Sequence, residues 1–215
     1  MDEVKKDKIL TVPNILTFLR IFLAPVFLVM MLNRKPYESL LIFSLAGVTD
    51  LLDGFAARTL HLKSRLGSLL DPAADKLLMT LSFILVTIPG LSSPYALPLW
   101  LTATVIGRDL AISLGALLAY KLRGRKSFPP SLLGKISTVC QVMLVFLVLL
   151  ANYVRSSAFE RRLAISPLLT ATALDWACGA TLILTLLSWL HYGLLGMAIL
   201  FPRKEKPETV TGSGR

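Results

Sequence analysis

Six apolar stretches, each long enough to cross a bilayer, dominate this chain and leave few folds open to it. A helix needs about 20 predominantly apolar residues to span the hydrocarbon core. Stretches of that order fall at about residues 15–32, 37–58, 68–89, 98–120, 131–153 and 168–200. In hydrocarbon every backbone N–H and C=O must be bonded internally, so each stretch is expected as a helix. The composition agrees: 54% of the 215 residues are hydrophobic, 17% are charged, and the mean hydropathy is +0.68. A soluble core does not absorb that much apolar surface. The expected fold is all-α, a polytopic membrane protein of six transmembrane helices. Residues 1–14 read as a basic, amphipathic lead-in on the membrane surface, 15–200 as one helical domain, and 201–215 as a polar tail.

Lysine and arginine counts orient the helices. With six spans both termini share a side, and that side receives fifteen basic residues against five on the other, with Arg20, Lys76 and Arg108 inside spans. The termini are therefore expected in the cytoplasm. The formal charge of +10 suits anionic headgroups and phosphate-bearing substrates. It does not suit nucleic acid, because the basic residues are split among short loops between spans. Cys140 and Cys178 stand isolated in apolar runs and suggest neither a metal motif nor a disulfide. The first apolar run has no small-residue cleavage site, so no cleavable signal is expected.

Against that apolar background one stretch stands out, DLLDGFAARTLHLKSRLGSLLDPAADK, at the junction of the second and third spans. On a helix Asp50 and Asp53 share one face, and so do Asp71 and Asp75. Gly54 and Ala57 continue the first face, and Gly67 precedes Asp71 by one turn, so bare backbone lies beside each acid pair. An aspartate at the bilayer centre costs about 2.5–3.5 kcal/mol, and four cost on the order of 10 kcal/mol. Their mutual repulsion adds to that unless cations are bound. Two facing carboxylate pairs make a hard oxygen site for divalent cations, about 3.5–4 Å apart in two-metal centres. Such a pair of ions clamps a diphosphate, and an acid held slightly off the metals can take a proton from an attacking hydroxyl. Arg58, on the same helix, is placed for a phosphate or a nucleotide base. Pro72 directly after Asp71 fits Asp71 as an N-cap with proline at the first helical position, or a helix that begins a turn earlier.

The pattern D-x2-D-G-x2-A-R-x8-G-x3-D-x3-D resembles the signature of the CDP-alcohol phosphatidyltransferases, and Asp50, Asp53, Gly54, Ala57, Arg58, Gly67, Asp71 and Asp75 match all its fixed positions. The resemblance runs from VPNILTFLR through PSLLGKIST and fades after about residue 155. It implies displacement of CMP from CDP-diacylglycerol by an alcohol, with two Mg²⁺ or Mn²⁺ ions. Asp50, Asp53 and Asp71 are implied as metal ligands, and Asp75 as the base that also touches a metal. Asp53, Gly54, Ala57, Arg58 and Gly67 are implied to line the cytidine diphosphate. A homodimer in the bacterial cytoplasmic membrane, with the active site on the cytoplasmic side, completes the expectation.

DPAADK, PNILTFLR and LGKIST resemble the branch that holds phosphatidylglycerophosphate synthases and CMP-forming cardiolipin synthases. The acceptors there are glycerol 3-phosphate and phosphatidylglycerol, and both carry phosphate. Arg108, Lys121, Lys126 and Lys135 are the candidates for it. Arg108 leads because a buried arginine in a span needs a partner, although an ion pair with Asp109 is the structural alternative. Lys121 and Lys126 serve equally well as topogenic charges. The step Arg108-Asp109 resembles cardiolipin synthases, where the glycerophosphate branch has Arg-Glu. Glycerol 3-phosphate is the preferred acceptor and phosphatidylglycerol the alternative. Arg20 either reaches the headgroup pocket or snorkels to the interface. A cation transporter is the rival from another class. It would spread its acids along a route, often in repeated halves, and this chain has no internal repeat.

Overall fold

Each apolar stretch forms one helix in the computed structural model. The structure describes residues 12–59, 65–123, 131–156 and 167–200, with the side chains of 12–14, 54–59, 65–69, 71–72, 116, 118–120, 122–123, 169 and 195–200 outside what it describes. The helices are α1 (Val12–Leu32), α2 (Pro36–Thr59), α3 (Arg65–Thr87), α4 (Leu99–Arg123), α5 (Leu132–Ser156) and α6 (Pro167–Leu200). α3 settles one open question. It begins at Arg65, so Asp71 stands in its second turn and is not an N-cap.

Three helices contain segments long and apolar enough to cross a bilayer by composition: Ile15–Leu32, Leu132–Ser156 and Thr170–Leu194. The other three are as long, at 24, 23 and 25 residues, but they carry the charges: Asp50 and Asp53 on α2, Asp71, Asp75 and Lys76 on α3, Arg108 and Asp109 on α4. Glu38 adds a further charge to α2, and these charges lower the apolarity of the three helices. α6 has 34 residues, roughly 50 Å at 1.5 Å per residue, and so exceeds a hydrocarbon core of about 30 Å.

α1 packs on α2 and α3, α5 on α2 and α6, and α4 on α6 and α3. The centre of the bundle is filled by Phe27, Phe43, Phe83, Val86, Leu101, Leu144, Val145 and Val148, all at most 3% exposed. Phe27 and Phe43 meet at 5.9 Å between centroids, in a tilted arrangement. Hydroxyls inside the helices are satisfied locally. Ser39, Ser44, Ser82, Thr87 and Thr181 each donate to the carbonyl four residues back, which spares a polar group from facing hydrocarbon unpaired. Between α5 and α6, Gln141 donates to Thr185 Oγ1 at 3.2 Å, and Ser137 lies 3.3 Å from the same hydroxyl. Such buried polar contacts join helices where lipid offers no hydrophobic drive.

The connections are tightly built. α1 ends in a Schellman motif: Lys35 N–H donates to Met30 C=O at 3.1 Å and Arg34 N–H to Met31 C=O at 3.0 Å. Arg34 takes the left-handed conformation, with φ 53°, that this motif requires. Pro36 then starts α2. The α3–α4 connection is held by Asn152 of α5. Its Oδ1 accepts from Tyr95 N–H at 2.9 Å, and its Nδ2 donates to Ser92 Oγ and Tyr95 C=O at 2.8 Å each.

Candidate active site

Asp50 and Asp53 are carried by α2, one turn apart, and Asp71 and Asp75 by α3, also one turn apart. α1 packs against both helices and brings Arg20 between them. The guanidinium of Arg20 is 1% exposed. Its Nη2 lies 2.9 Å from Asp50 Oδ1 and 4.0 Å from Asp53 Oδ2, and its Nη1 bonds Asp75 Oδ1. Three of the four aspartates therefore surround one buried cation. Asp53 is buried with it, at 7%, while the side chains of Asp50 and Asp75 are about half exposed. The cluster is thus buried on the side of Arg20 and Asp53 and exposed on the side of Asp50 and Asp75.

The guanidinium is imperfectly satisfied. Its Nε and Nη2 are buried and find no hydrogen-bond partner among the described residues, although Nη2 is close to Asp50 in charge terms. Among the described residues no three acidic, histidine or cysteine side chains are gathered closely enough to share an ion. The donor set nevertheless fits hard divalent cations: carboxylates from two helices face a common positive charge. Asp71 follows the register of α3 one turn before Asp75; its side chain lies outside the described ones, as do those of Ala57 and Arg58 on α2 and the glycine positions Gly54 and Gly67.

Beside the acids a second polar group is assembled on α4. Lys76, next to Asp75 on α3, bonds the hydroxyl of Ser113, which donates to the carbonyl of Asp109 at 2.6 Å. Arg108 is 6% exposed. It pairs with Asp109 at 2.7 Å and donates to Ser188 Oγ of α6 at 2.6 Å. Its guanidinium carbon sits 5.9 Å from the centre of the Tyr192 ring, within cation–π range. Arg108 Nε is also buried without a hydrogen-bond partner among the described residues. The ion pair with Asp109 expected as the structural alternative is therefore present, together with contacts to α6. Lys121 and Lys135 are exposed, and Lys126 lies outside the described residues.

Sequence reasoning missed Arg20 as a member of the acid cluster, and Ser188 and Tyr192 as partners of Arg108. A signal for the latter exists, since Thr181, Thr185, Ser188 and Tyr192 recur at helical steps along an otherwise apolar stretch.

The profile of the CDP-alcohol phosphatidyltransferases matches residues 10–187. The chain belongs to that family. A protein of Streptomyces coelicolor named cardiolipin synthase (CMP-forming) is 38% identical over 158 residues, covering 69% of each chain. One of Escherichia coli K12 named CDP-diacylglycerol--glycerol-3-phosphate 3-phosphatidyltransferase is 36% identical over 135 residues, 61% of this chain and 72% of its own. A Shigella flexneri protein of the same name matches equally. The phosphatidyltransferase match takes in Arg20, all four aspartates and Arg108, and ends one residue before Ser188.

Proposed function

We propose that this phosphatidyltransferase moves a phosphatidyl group from CDP-diacylglycerol to glycerol 3-phosphate, giving phosphatidylglycerophosphate and CMP in phospholipid biosynthesis. The observation that carries the reading is the convergence of Asp50, Asp53 and Asp75 on one buried positive charge, with Asp50 and Asp75 about half exposed. A six-span arrangement of residues 15–200, cytoplasmic termini and a cytoplasmic acid site accompany the reading, on the lysine and arginine asymmetry. A homodimer is part of it as well. The face of α4 bearing Gly107 and Gly115, where a would-be Cβ meets nothing within 4 Å beyond its chain neighbours and its own helix backbone, supports close helix packing.

In this reading Asp50, Asp53, Asp71 and Asp75 hold two divalent cations, Mg²⁺ or Mn²⁺. Bound there, such ions neutralise the diphosphate and the departing phosphate oxygen. Asp75, half exposed, accepts the proton of the acceptor hydroxyl as its oxygen attacks the lipid-side phosphorus. The bond from that phosphorus to the bridging oxygen breaks, and CMP leaves with the electron pair. Gly54, Ala57 and Gly67 admit the cytidine diphosphate through lack of bulk; Asp53 and Arg58 hold it by polar contact. Arg108, with Lys121, Lys126 and Lys135, receives the acceptor's phosphate. The chain of contacts from Lys76 through Ser113 to Asp109 supports an acceptor pocket next to the base.

Phosphatidylglycerol as acceptor is the second reading. The Arg108-Asp109 step and the 38% identity to a protein named cardiolipin synthase favour it. Family membership favours either enzyme over a cation transporter. The test uses the purified protein in lipid vesicles with radiolabelled CDP-diacylglycerol and Mg²⁺ or Mn²⁺, offering each acceptor separately. Release of CMP with glycerol 3-phosphate, abolished by a chelator, is expected. Release with phosphatidylglycerol alone replaces the first reading with the second. No release with either acceptor overturns both.

A further inference from the structure

We propose that Arg20 is a built-in counter-cation of the acid site, held by the aspartates when metal is absent and displaced from them when metal binds. The inference rests on the metal-site reading above. Arg20 enters from α1, whereas the carboxylates it meets come from α2 and α3. It is a different helix's answer to their charge.

Formal charge balance makes the case. Counted formally, the four aspartates carry −4, and Arg20 brings the cluster to −3. Two divalent ions add +4 and turn it to +1. A guanidinium within 2.9–4.0 Å of carboxylates that have become metal ligands is repelled by ions at the same carboxylates. The surplus of one positive charge then matches the anionic diphosphate of the donor. Arg20 so serves two states: it offsets one of the four acid charges before loading and, once off the carboxylates, stays on α1 beside the loaded site and leaves it at +1.

The geometry separates this role from that of a fixed structural bridge. A permanent bridge between three helices would place all three guanidinium nitrogens in hydrogen bonds. Here Nε and Nη2, buried at 1% side-chain exposure, find none among the described residues. The side chain is held by charge more than by shape. Two of its three partners, Asp50 and Asp75, are half open to the outside, so a competing cation can reach them.

The test is direct Mn²⁺ titration of the full-length protein in detergent, read by electron paramagnetic resonance of free Mn²⁺, with thermal melting of the metal-free and loaded forms. Wild type is compared with Arg20→Gln and Arg20→Lys. Arg20→Gln is expected to bind Mn²⁺ at least about tenfold tighter, because nothing has to be displaced. Its metal-free form is expected to melt lower, and Mn²⁺ to restore the melting temperature of the loaded wild type. Arg20→Lys, which keeps the charge but loses the fork, is expected to bind about threefold tighter than wild type. A purely structural arginine predicts the opposite sign, with looser binding in both variants. Unchanged or weaker Mn²⁺ affinity in both, or in Arg20→Lys alone should Arg20→Gln not fold, overturns the proposal. Absence of Mn²⁺ binding by wild type overturns instead the metal-site reading beneath it.

Discussion

The hydroxyl of Tyr192 occupies the space that a side chain on residue 134 would need: a Cβ on Gly134 would stand 2.9 Å from that oxygen and 3.1 Å from the ring edge. The same hydroxyl accepts a hydrogen bond from Ser131 N–H at 3.0 Å, and the ring lies against Arg108. A missing side chain at the start of α5 thus fixes an aromatic ring on α6, which in turn backs an arginine on α4.

Gly134→Ala is expected to push Tyr192 away from both Ser131 and Arg108. With Arg108 receiving the acceptor's phosphate, KM for the acceptor should rise about tenfold, or about 1.4 kcal/mol, while KM for CDP-diacylglycerol stays put. Steady-state CMP release at varied acceptor and varied donor separates the two. Equal changes in both constants would remove the link between Gly134 and the acceptor.

Asp75→Asn retains the size of the side chain and a bond to Arg20 but removes the proton acceptor. We expect kcat to fall by about 10²–10⁴, the usual worth of a positioned general base, and the melting temperature of the metal-free protein to fall as Arg20 loses one counter-charge. Turnover at the wild-type rate in a folded Asp75→Asn protein would take the base role away from Asp75.

Asn152→Leu strips three hydrogen bonds from the connection between α3 and α4. A buried polar group left unsatisfied costs about 1–3 kcal/mol. The expected loss is roughly 2–4 kcal/mol, because partial relaxation and water recover some of the three groups. Thermal or denaturant unfolding in detergent measures it. The rate per folded molecule should hold, since Asn152 touches none of the acid-bearing helices' catalytic residues.

Arg34→Gly should stabilise the protein by about 1 kcal/mol. A non-glycine residue in the left-handed region costs about 1–2 kcal/mol, and the unfolded chain's added freedom with glycine takes back part of it. Arg34→Ala keeps the strain and should leave the stability near wild type. Melting temperatures of the two variants side by side distinguish backbone strain from loss of charge.

Much of this was legible in the sequence because bilayer physics leaves little choice. Six apolar stretches became six helices within a few residues of the expected ends, and the spacing of Asp50 with Asp53 and of Asp71 with Asp75 was already a statement about faces. Arg20 was not legible in the same way. A lone charge in a span says that it needs a partner, but the partners lie 30, 33 and 55 residues further on, on other helices. Reading them takes the packing of α1 against α2 and α3. Arg108 was half legible: Asp109 is its neighbour in sequence, while Ser188 and Tyr192 come from a helix 80 residues away. The start of α3 was missed as a first choice because a proline after an aspartate reads as a helix opening, yet Pro72 sits in the second turn.

Arg20 is synthesised before the three aspartates that it meets in the folded protein. When α1 leaves the ribosome it carries a bare guanidinium into the translocon, and Asp50, Asp53 and Asp75 have yet to be made. An arginine at a helix centre costs about 2.5–3.5 kcal/mol. Arg20, however, is the sixth residue of the 18-residue span Ile15–Leu32, whose mean hydropathy is 2.4, so α1 can enter with its guanidinium near the interface. Packing of α1 against α2 and α3 then takes that guanidinium from the interface into the acid cluster.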